Sequence, residues 1–376
     1  MKPIRILHVL GAMNRGGVET WLMHLLRHID RERFQMDFLV HTDQPAAYDA
    51  ELLALGSKIL RCPDWHRPIR YGKHFLRIIR EFGPFDVLHS HVHNFSGYVV
   101  WLGHAAGIPV RISHSHSDTS FVGATATHTR RAYLSLSRWL LTKYSTSALA
   151  ASAPAASALF GPSWQQGDRV KILYCGIDLA PYSMTVDRAA VRSEFGFRAS
   201  NIVFGHVGSF RPPKNHAFLA DIAAEIAKRE PEARFLLVGN GPLRAPTESQ
   251  FRRAGLGHRA VFAGSRPDVP RLMLGAMDGF LFPSLYEGLG LVLIEAQAAN
   301  LPAIISDTVP SEAIVIPSLI RSLSLKQSAA TWAETALHHR TSSEPNALAA
   351  IERSPFVIDR SIERLTDLYS MCRTET

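Results

Sequence analysis

Phe282–Glu295 reads FPSLYEGLGLVLIE. A strand-like run, GFLFPS, leads into it, and an apolar helical run continues through AQAAN to a further strand, PAIISD. Glycine breaks the chain between the two regular pieces, so the segment reads as strand, turn and helix N-terminus. The first N–H groups of a helix have no partner within it, and the helix dipole points the same way, so such a junction faces an anion. Two carboxylates flank it, Glu287 and Glu295, eight positions apart. Glu295 lies within LVLIEAQAA, whose apolar neighbours leave little room for a solvated face, so its charge needs a partner.

An anion site with a carboxylate at each end suits a ligand that carries hydroxyls beside its phosphates, as a nucleotide-sugar does. The surroundings agree. Apolar strand-like runs alternate with helical periodicity along the whole chain: IRILHVL, MDFLV, FDVLHSH, VRISHSH, SALAAS and VKILYCG, then NIVFGHVG, RFLLVG, AVFAG, GFLFPS and PAIISD. In VETWLMHLLRHI, Val18, Leu22, Leu25, Leu26 and Ile29 share one helical face. Uniformly apolar strands between helices mean α/β architecture with parallel sheets covered on both faces. Periodicity lapses near CGIDLAPYSMTVD, which divides the series into two doubly wound, Rossmann-like domains. We therefore expect an N-terminal domain over residues 1–178, a C-terminal one over 179–353, and a helix over 354–376 that crosses back to the first. Ligands of open parallel sheets bind beyond the carboxyl ends of the strands, so the expected site is the inter-domain cleft.

The chain has 376 residues, enough for two cores. With 46% hydrophobic and 20% charged residues it has the composition of a soluble globular protein. No signal peptide and no membrane-length apolar run is legible. Three scattered cysteines, Cys62, Cys175 and Cys372, form neither a disulfide framework nor a zinc knuckle, which points to the reducing cytoplasm. The net charge of +8 is uneven: residues 1–178 hold 20 Lys+Arg against 13 Asp+Glu, and the remainder 21 against 20. One basic half implies an anionic partner. No nucleic-acid motif is present, so a phospholipid surface or a lipid-pyrophosphate acceptor fits better. The basic aromatic stretch RRAYLSLSRWLLTKY, Arg130–Tyr144, could lie on such a surface, but an ordinary amphipathic helix packing its Leu and Trp inward is the expectation.

Three shorter segments carry candidate chemistry. Gly16 and Gly17 end a loop after the first strand; it lacks the G-x-G-x-x-G spacing, which disfavours a dinucleotide, while two glycines allow close backbone approach to a ligand. His89, His91 and His93 alternate in HSHVH and fall on one strand face, with His114 and His116 alternating in the same way. No carboxylate or cysteine lies at ligand spacing beside them, so a metal is not expected, and hydrogen-bonded core histidines are the plain alternative. GSFRPPKN, Gly208–Asn215, carries two cations, Arg211 and Lys214, in a Pro-containing segment whose plain reading is a surface turn.

These segments resemble the retaining glycosyltransferases of the two-Rossmann-domain GT-B architecture, in the large family marked by E-x7-E, and within it the bacterial exopolysaccharide and capsule branch. The likeness runs through GGVETWLMHLLRHIDRERFQMDFLV, DVLHSH, RISHSH, GIDLAPY, HVGSFRPPKNH, LVGNGPLR and the block ending in NLPAIISD. It implies that Glu295 holds the ribose hydroxyls and that Glu287 contacts the donor sugar. Lys214, Arg211 and the backbone at Gly290 and Leu291 would bear the diphosphate, and Gly16 and Gly17 would lie between acceptor and donor phosphate. His91 would act at the transferred sugar, with His93 next in line. It implies no cofactor and no metal, transfer with retention by front-face displacement, and a saccharide or lipid-linked acceptor chosen by loops such as Cys62–Tyr71 and Thr119–His128. The chain departs from the family pattern at Ser209, where arginine is usual, at Asn300, where glycine is usual, and at Cys175, where asparagine is usual. Asn tolerates the left-handed conformation that a helix C-terminus requires. Rival readings are a nucleotide-sugar 2-epimerase of the same architecture, a metal-dependent hydrolase built on the H-x-H runs, and a catalytically silent nucleotide-sugar-binding subunit.

Overall fold

A computed structural model describes residues 2–118 and 127–371. Residues 119–126, part of one expected acceptor loop, and Cys372 lie outside the described residues. The chain divides into two compact units, residues 1–176 with 358–376, and residues 177–357. Both are parallel sheets flanked by helices.

The first unit contains β1 (Ile4–Leu10), β2 (Phe34–Val40), β3 (Ile59–Arg61), β4 (Val87–Ser90), β5 (Val110–Ser115), β6 (Ser147–Ala150) and β7 (Val170–Ile172), in the spatial order β3-β2-β1-β4-β5-β6-β7. The second contains β8 (Ile202–Val207), β9 (Ala233–Val238), β10 (Ala260–Gly264), β11 (Gly279–Phe282), β12 (Ala303–Ser306) and β13 (Ile320–Leu323), ordered β10-β9-β8-β11-β12-β13. Every pairing is parallel. In each sheet the strand order reverses beside the first strand, between β1 and β4 and between β8 and β11. Successive loops diverge there, leaving a crevice at the carboxyl ends.

Apolar strands without alternation predicted sheets buried on both faces, and the inner strands β4, β11 and β12 are buried at every residue. Two edge strands, β3 and β13, three and four residues long, are not among the runs read from the sequence. The helix Gly17–His28 buries Trp21, Leu22, Met23, Leu25 and Leu26 against the first sheet. The helix Ile358–Ser370 returns to the first unit and buries Ile358, Ser361, Leu365 and Tyr369. Residues 177–196, where periodicity lapses, fold within the second unit as a short turn, Ala180–Ser183, and a helix, Arg188–Ser193. No described helix is long and apolar enough to cross a membrane.

Helix His128–Tyr144 corrects one expectation. Its buried residues are Ser137 and Leu141, whereas Tyr133 is 42% exposed, Leu136 55% and Trp139 52%. Leu136 and Trp139 therefore face outward while Leu141 packs inward, and at Gly97 the neighbouring helix approaches so closely that Ser137 sits against its backbone.

One polar knot fastens the second unit. Asp278, just before β11, accepts two bonds from Arg192 at 2.6 and 2.7 Å, one from Arg188 at 2.7 Å and one from the Val203 N–H at 2.8 Å. Arg192 is buried, so losing Asp278 strands its charge. Asp278→Ala is expected to cost about 3–5 kcal/mol in denaturant unfolding, whereas the exposed partner change Arg188→Ala costs less than 1 kcal/mol, the usual range of surface pairs.

Candidate active site

The crevice of the second sheet is built from the loops after β8 and β11. After β8 the chain turns through Gly208–Asn215. Phe210 is fully buried and stacks on His216 with centroids 4.2 Å apart, which anchors the loop's middle. The following strand's loop lies directly on it. A Cβ at Gly239 would come within 2.0 Å of the Gly208 carbonyl, and one at Gly241 within 2.6 Å of the Phe210 carbonyl. Only glycine fits either position. Two prolines then start a single 3-10 turn, Pro212–Lys214, and Asn215 takes a left-handed conformation to open the helix His216–Arg229.

That turn aims Lys214 across the strand reversal. Its Nζ lies 2.5 Å from Glu287 Oε1 and 4.7 Å from the centre of the Phe282 ring. Both members of the pair are largely buried, with side chains 16% and 11% exposed. The backbone binds the two loops as well, since the Leu285 N–H donates to the Pro213 carbonyl at 2.7 Å. Ser306 and Thr308 hydroxyls donate to the Ser284 carbonyl at 2.6 and 2.7 Å, which holds the β11 loop from its other side. Gly290 then adopts φ +87° and admits the helix Leu291–Ala298, whose N-terminus has no side-chain cap. Lys214, Glu287, Gly290 and Leu291 thus share one loop system.

Glu295 sits one turn along that helix, half-buried and without a hydrogen bond or ion pair from its side chain among the described residues. Gln297, two residues on, is the contrast: its amide donates to the Leu293 and Ala313 carbonyls and accepts from the Val315 and Ile316 N–H groups. The protein satisfies Gln297 fully and Glu295 not at all. Burial pushes the Glu295 carboxyl up to about 7. The partner its apolar setting demands is not supplied by the fold.

Sequence reading missed two neighbours. Tyr182, quoted only as the end of GIDLAPY, is buried, its hydroxyl without a hydrogen-bond partner among the described residues, and burial first, then the Glu295 charge, holds that hydroxyl well above its ordinary value. His206, on β8, gives Nδ1 to the Leu281 carbonyl at 2.9 Å and keeps Nε2 unpartnered beneath Gly208. Burial, then His216, holds it neutral. A histidine inside an apolar strand was the available signal for the second. Arg211 does not join the group: it is exposed at the start of the turn, with no ion pair among the described residues. Asn300 takes the expected left-handed conformation, φ +52°.

In the first unit, Gly16 caps the helix Gly17–His28 in an extended conformation. A Cβ there would meet only the end of the flexible Glu19 side chain, so packing alone does not demand glycine. The next turn delivers Trp21, whose ring lies edge-on to His114 and His91 at 5.4 and 6.2 Å. β4 ends at Ser90, so only His89 is on the strand; His91 follows it, and His93 enters a 3-10 turn with φ +48°. The expected single face therefore holds for His89 and His91 and not for His93.

Register brings in a further histidine, because His8 of β1 pairs with His89 of β4. His8 Nδ1 lies 3.0 Å from His91 Nε2, His91 Nδ1 lies 2.9 Å from His116 Nε2, and His89 Nε2 lies 3.2 Å from His114 Nδ1. Tyr369 from the returning helix closes one end at 2.8 Å from His89 Nδ1. Cys175 closes the other, its Sγ 3.6 Å from His116 Nδ1. The sulfur that no spacing rule could place beside the histidines is thus adjacent to them, and the departure at Cys175 acquires a physical setting. Desolvation drives all five imidazoles far toward the neutral form. Both His91 nitrogens face other rings, so a bond from His91 to a sugar requires one contact to open.

Comparison with known proteins places both halves. The family described as "Glycosyl transferases group 1" matches residues 201–336, and that described as "Glycosyltransferase Family 4" matches residues 15–181. The Bacillus subtilis (strain 168) protein named glycosyltransferase EpsF is 37% identical over 336 residues, covering 88% of this chain and 86% of the relative. The capsular polysaccharide biosynthesis glycosyltransferase CapH of Staphylococcus aureus is 24% identical over 97% of this chain and 98% of its own. Among solved structures, HepE of Anabaena in complex with UDP-glucose has the same fold, with a TM-score of 0.80 at 20% identity over 98% of this chain and 99% of that one.

The unpaired Glu295 has a consequence for stability. Its ordinary value is 4.5 and its folded value about 7, so between them the folded chain holds a proton that the unfolded chain has released. Stability from this group is complete below pH 4.5 and is lost as pH rises toward 7. Glu295→Gln should flatten that part of the pH–Tm profile and be more stable than the parent at pH 8 by roughly 1–3 kcal/mol. Parallel profiles for the two proteins would show that the carboxylate finds a partner in solution.

Proposed function

The chain belongs to the group 1 glycosyltransferases, and from that premise we propose that it moves a sugar from a nucleotide-diphosphate donor to an acceptor hydroxyl, with retention at the anomeric carbon, in the assembly of a surface polysaccharide. The observation that carries this reading is one loop system in which a Lys214–Glu287 pair and an unpartnered Glu295 flank an uncapped helix N-terminus. A diphosphate between a ribose and a sugar uses all three. Glu295 accepts from the ribose hydroxyls, and Glu287 Oε2 accepts from a sugar hydroxyl while Oε1 stays on Lys214. Lys214 has three protons, so it keeps Glu287 and still serves phosphate oxygens. The Gly290 and Leu291 backbone completes the diphosphate's surroundings.

The chemistry follows from where charge develops. The acceptor oxygen bonds to the anomeric carbon on the face that the phosphate leaves, the carbon–phosphate-oxygen bond breaks, and the acceptor proton passes to that phosphate oxygen. Lys214 and the helix N–H groups stabilise the leaving diphosphate in a partly dry site, where fixed charges act most strongly. Mg2+ and Mn2+ have no required part, since cationic and N–H donors already face the phosphates. Gly16 and Gly17 present backbone to the acceptor. His91 organises the transferred sugar by exchanging its Nε2 contact with His8 for a sugar hydroxyl. Support for a UDP-sugar class of donor is the likeness in fold to HepE, solved with UDP-glucose, and support for a polysaccharide setting is the likeness to CapH.

The test is turnover with a panel of nucleotide-diphosphate sugars and saccharide and lipid-linked acceptors. Transfer is expected to persist after EDTA treatment without added Mg2+ or Mn2+, and proton NMR of the product should show the donor's anomeric configuration. Glu295→Ala should weaken free nucleotide-diphosphate binding by about 1–3 kcal/mol in calorimetry. Inverted product, a strict need for Mg2+, or unchanged nucleotide affinity would each break one part of the reading.

The acceptor is presented at an anionic membrane face. Helix His128–Tyr144 exposes Tyr133, Leu136 and Trp139 beside exposed Arg130, Arg131 and Lys143, the mix that an interfacial helix inserts. Lys143 Nζ packs 4.9 Å from the Trp139 ring, so charge and aromatic surface are presented together. Each cation near such a surface contributes on the order of 1 kcal/mol, screened over about 8 Å at physiological salt. Sedimentation with anionic vesicles should therefore fall steeply with added salt and with combined neutralisation of Arg130, Arg131, Arg138 and Lys143. No binding at low salt would indicate a soluble acceptor.

A further inference from the structure

The histidine cluster of the first unit contains more ligand capacity than sugar transfer uses. Two overlapping sets, His8–His89–His91 and His91–His114–His116, each place one donor atom per residue within 4.8 Å of the others. The second set is the more complete site. His91 and His116 are half-buried near the carboxyl ends of β4 and β5, which gives an ion a way in, whereas His8 and His89 are fully enclosed. Each member also has its other edge oriented by a neighbour: His91 Nε2 by His8 at 3.0 Å, His114 Nδ1 by His89 at 3.2 Å, and His116 Nδ1 by the Cys175 sulfur at 3.6 Å. Outer partners of this kind fix the tautomer and ring angle of a ligating imidazole. His114 Nε2 is buried with no hydrogen bond of its own.

We propose that His91, His114 and His116 form a binding site for a divalent transition ion of the zinc class, with His8, His89 and Cys175 as the supporting shell. The donor set is neutral imidazole throughout, which suits zinc, copper and nickel and excludes magnesium and calcium. Facing nitrogens His91 Nδ1 and His116 Nε2 are 2.9 Å apart. A tetrahedral ion with Zn–N bonds of about 2.0–2.1 Å separates its ligand atoms by about 3.3 Å, so the pair needs to open by only a few tenths of an ångström. The ion ties β4 to β5 and holds His91 through Nδ1, leaving its other edge to point away. This inference rests on the first unit's geometry and does not depend on the transfer reading or on the diphosphate site.

The experiment uses the untagged full-length chain, stripped with chelator under reducing conditions and titrated with Zn2+ or Co2+ alone. One equivalent of Zn2+ is expected per chain, with a rise in Tm, and Co2+ should give the intense visible bands of a tetrahedral nitrogen site. His114→Gln and His116→Gln should each weaken Zn2+ binding by more than tenfold. Cys175→Ser should weaken it by about tenfold as a supporting partner. His206→Gln, in the second unit, should leave it unchanged. Binding of less than a tenth of an equivalent at micromolar Zn2+, or undiminished binding by the His114→Gln/His116→Gln pair, would overturn the site. The Co2+ spectrum of the parent protein settles the matter even if a variant fails to fold, and a thiolate-to-cobalt band would overturn the placing of Cys175 outside the ligand set.

Discussion

The reversal of strand order beside the first strand of each sheet is the constraint from which the rest of the molecule follows. A right-handed crossover sends helices to one face when strands are added on one side and to the other face when they are added on the opposite side. At the reversal, adjacent loops therefore leave the sheet in opposite directions and cannot cover the strand ends. Between β8 and β11 this leaves the Gly208–Asn215 turn on one side and the Glu287 loop on the other. Between β1 and β4 it brings the half-buried His91 beside the enclosed His8.

What happens at the β8–β11 crevice is a balance of electrostatics against burial. Lys214 and Glu287 are each costly to bury alone, and their pairing makes the placement tolerable. The bond from Leu285 to the Pro213 carbonyl fixes the loops that carry them, so the pair is a consequence of backbone geometry as much as its cause. Glu295 is treated differently by the same surroundings. With Gln297 fully satisfied two residues away, the helix is well able to partner a buried polar group, yet Glu295 is left to carry its desolvation unassisted. A buried carboxylate that its own fold leaves without a partner among the described residues is a mark of a candidate functional position.

The β1–β4 crevice solves another problem. Burial, then their mutual repulsion, keeps the five imidazoles neutral, and the hydrogen bonds among them fix their orientation. The chain of contacts from Tyr369 to Cys175 draws on the returning helix, three strands and the end of the first unit. Such a cluster orders the carboxyl ends of β4 and β5, and it does so without any formal charge.

The sequence by itself determined the fold class, because apolar strands alternating with helices can only bury both faces as parallel sheets, and most strand positions could be read from that pattern. It also marked Glu287 and Glu295, since a glycine-broken turn before a helix and a lone acid in an apolar run are local features, and Lys214 through the resemblance of GSFRPPKN to a family motif. Tertiary structure alone decided the partnerships. The Lys214–Glu287 contact spans 73 positions, and His8 meets His91 across 83. The short edge strands β3 and β13 exist only by pairing, and Cys175 reaches His116 only because the sheet brings separate strand ends together. The outward turn of Trp139 was equally invisible, since an amphipathic helix has no means of recording which of its faces its neighbours will cover. Periodicity is a property of neighbours in the chain, whereas register and crossover handedness are properties of the assembled sheet.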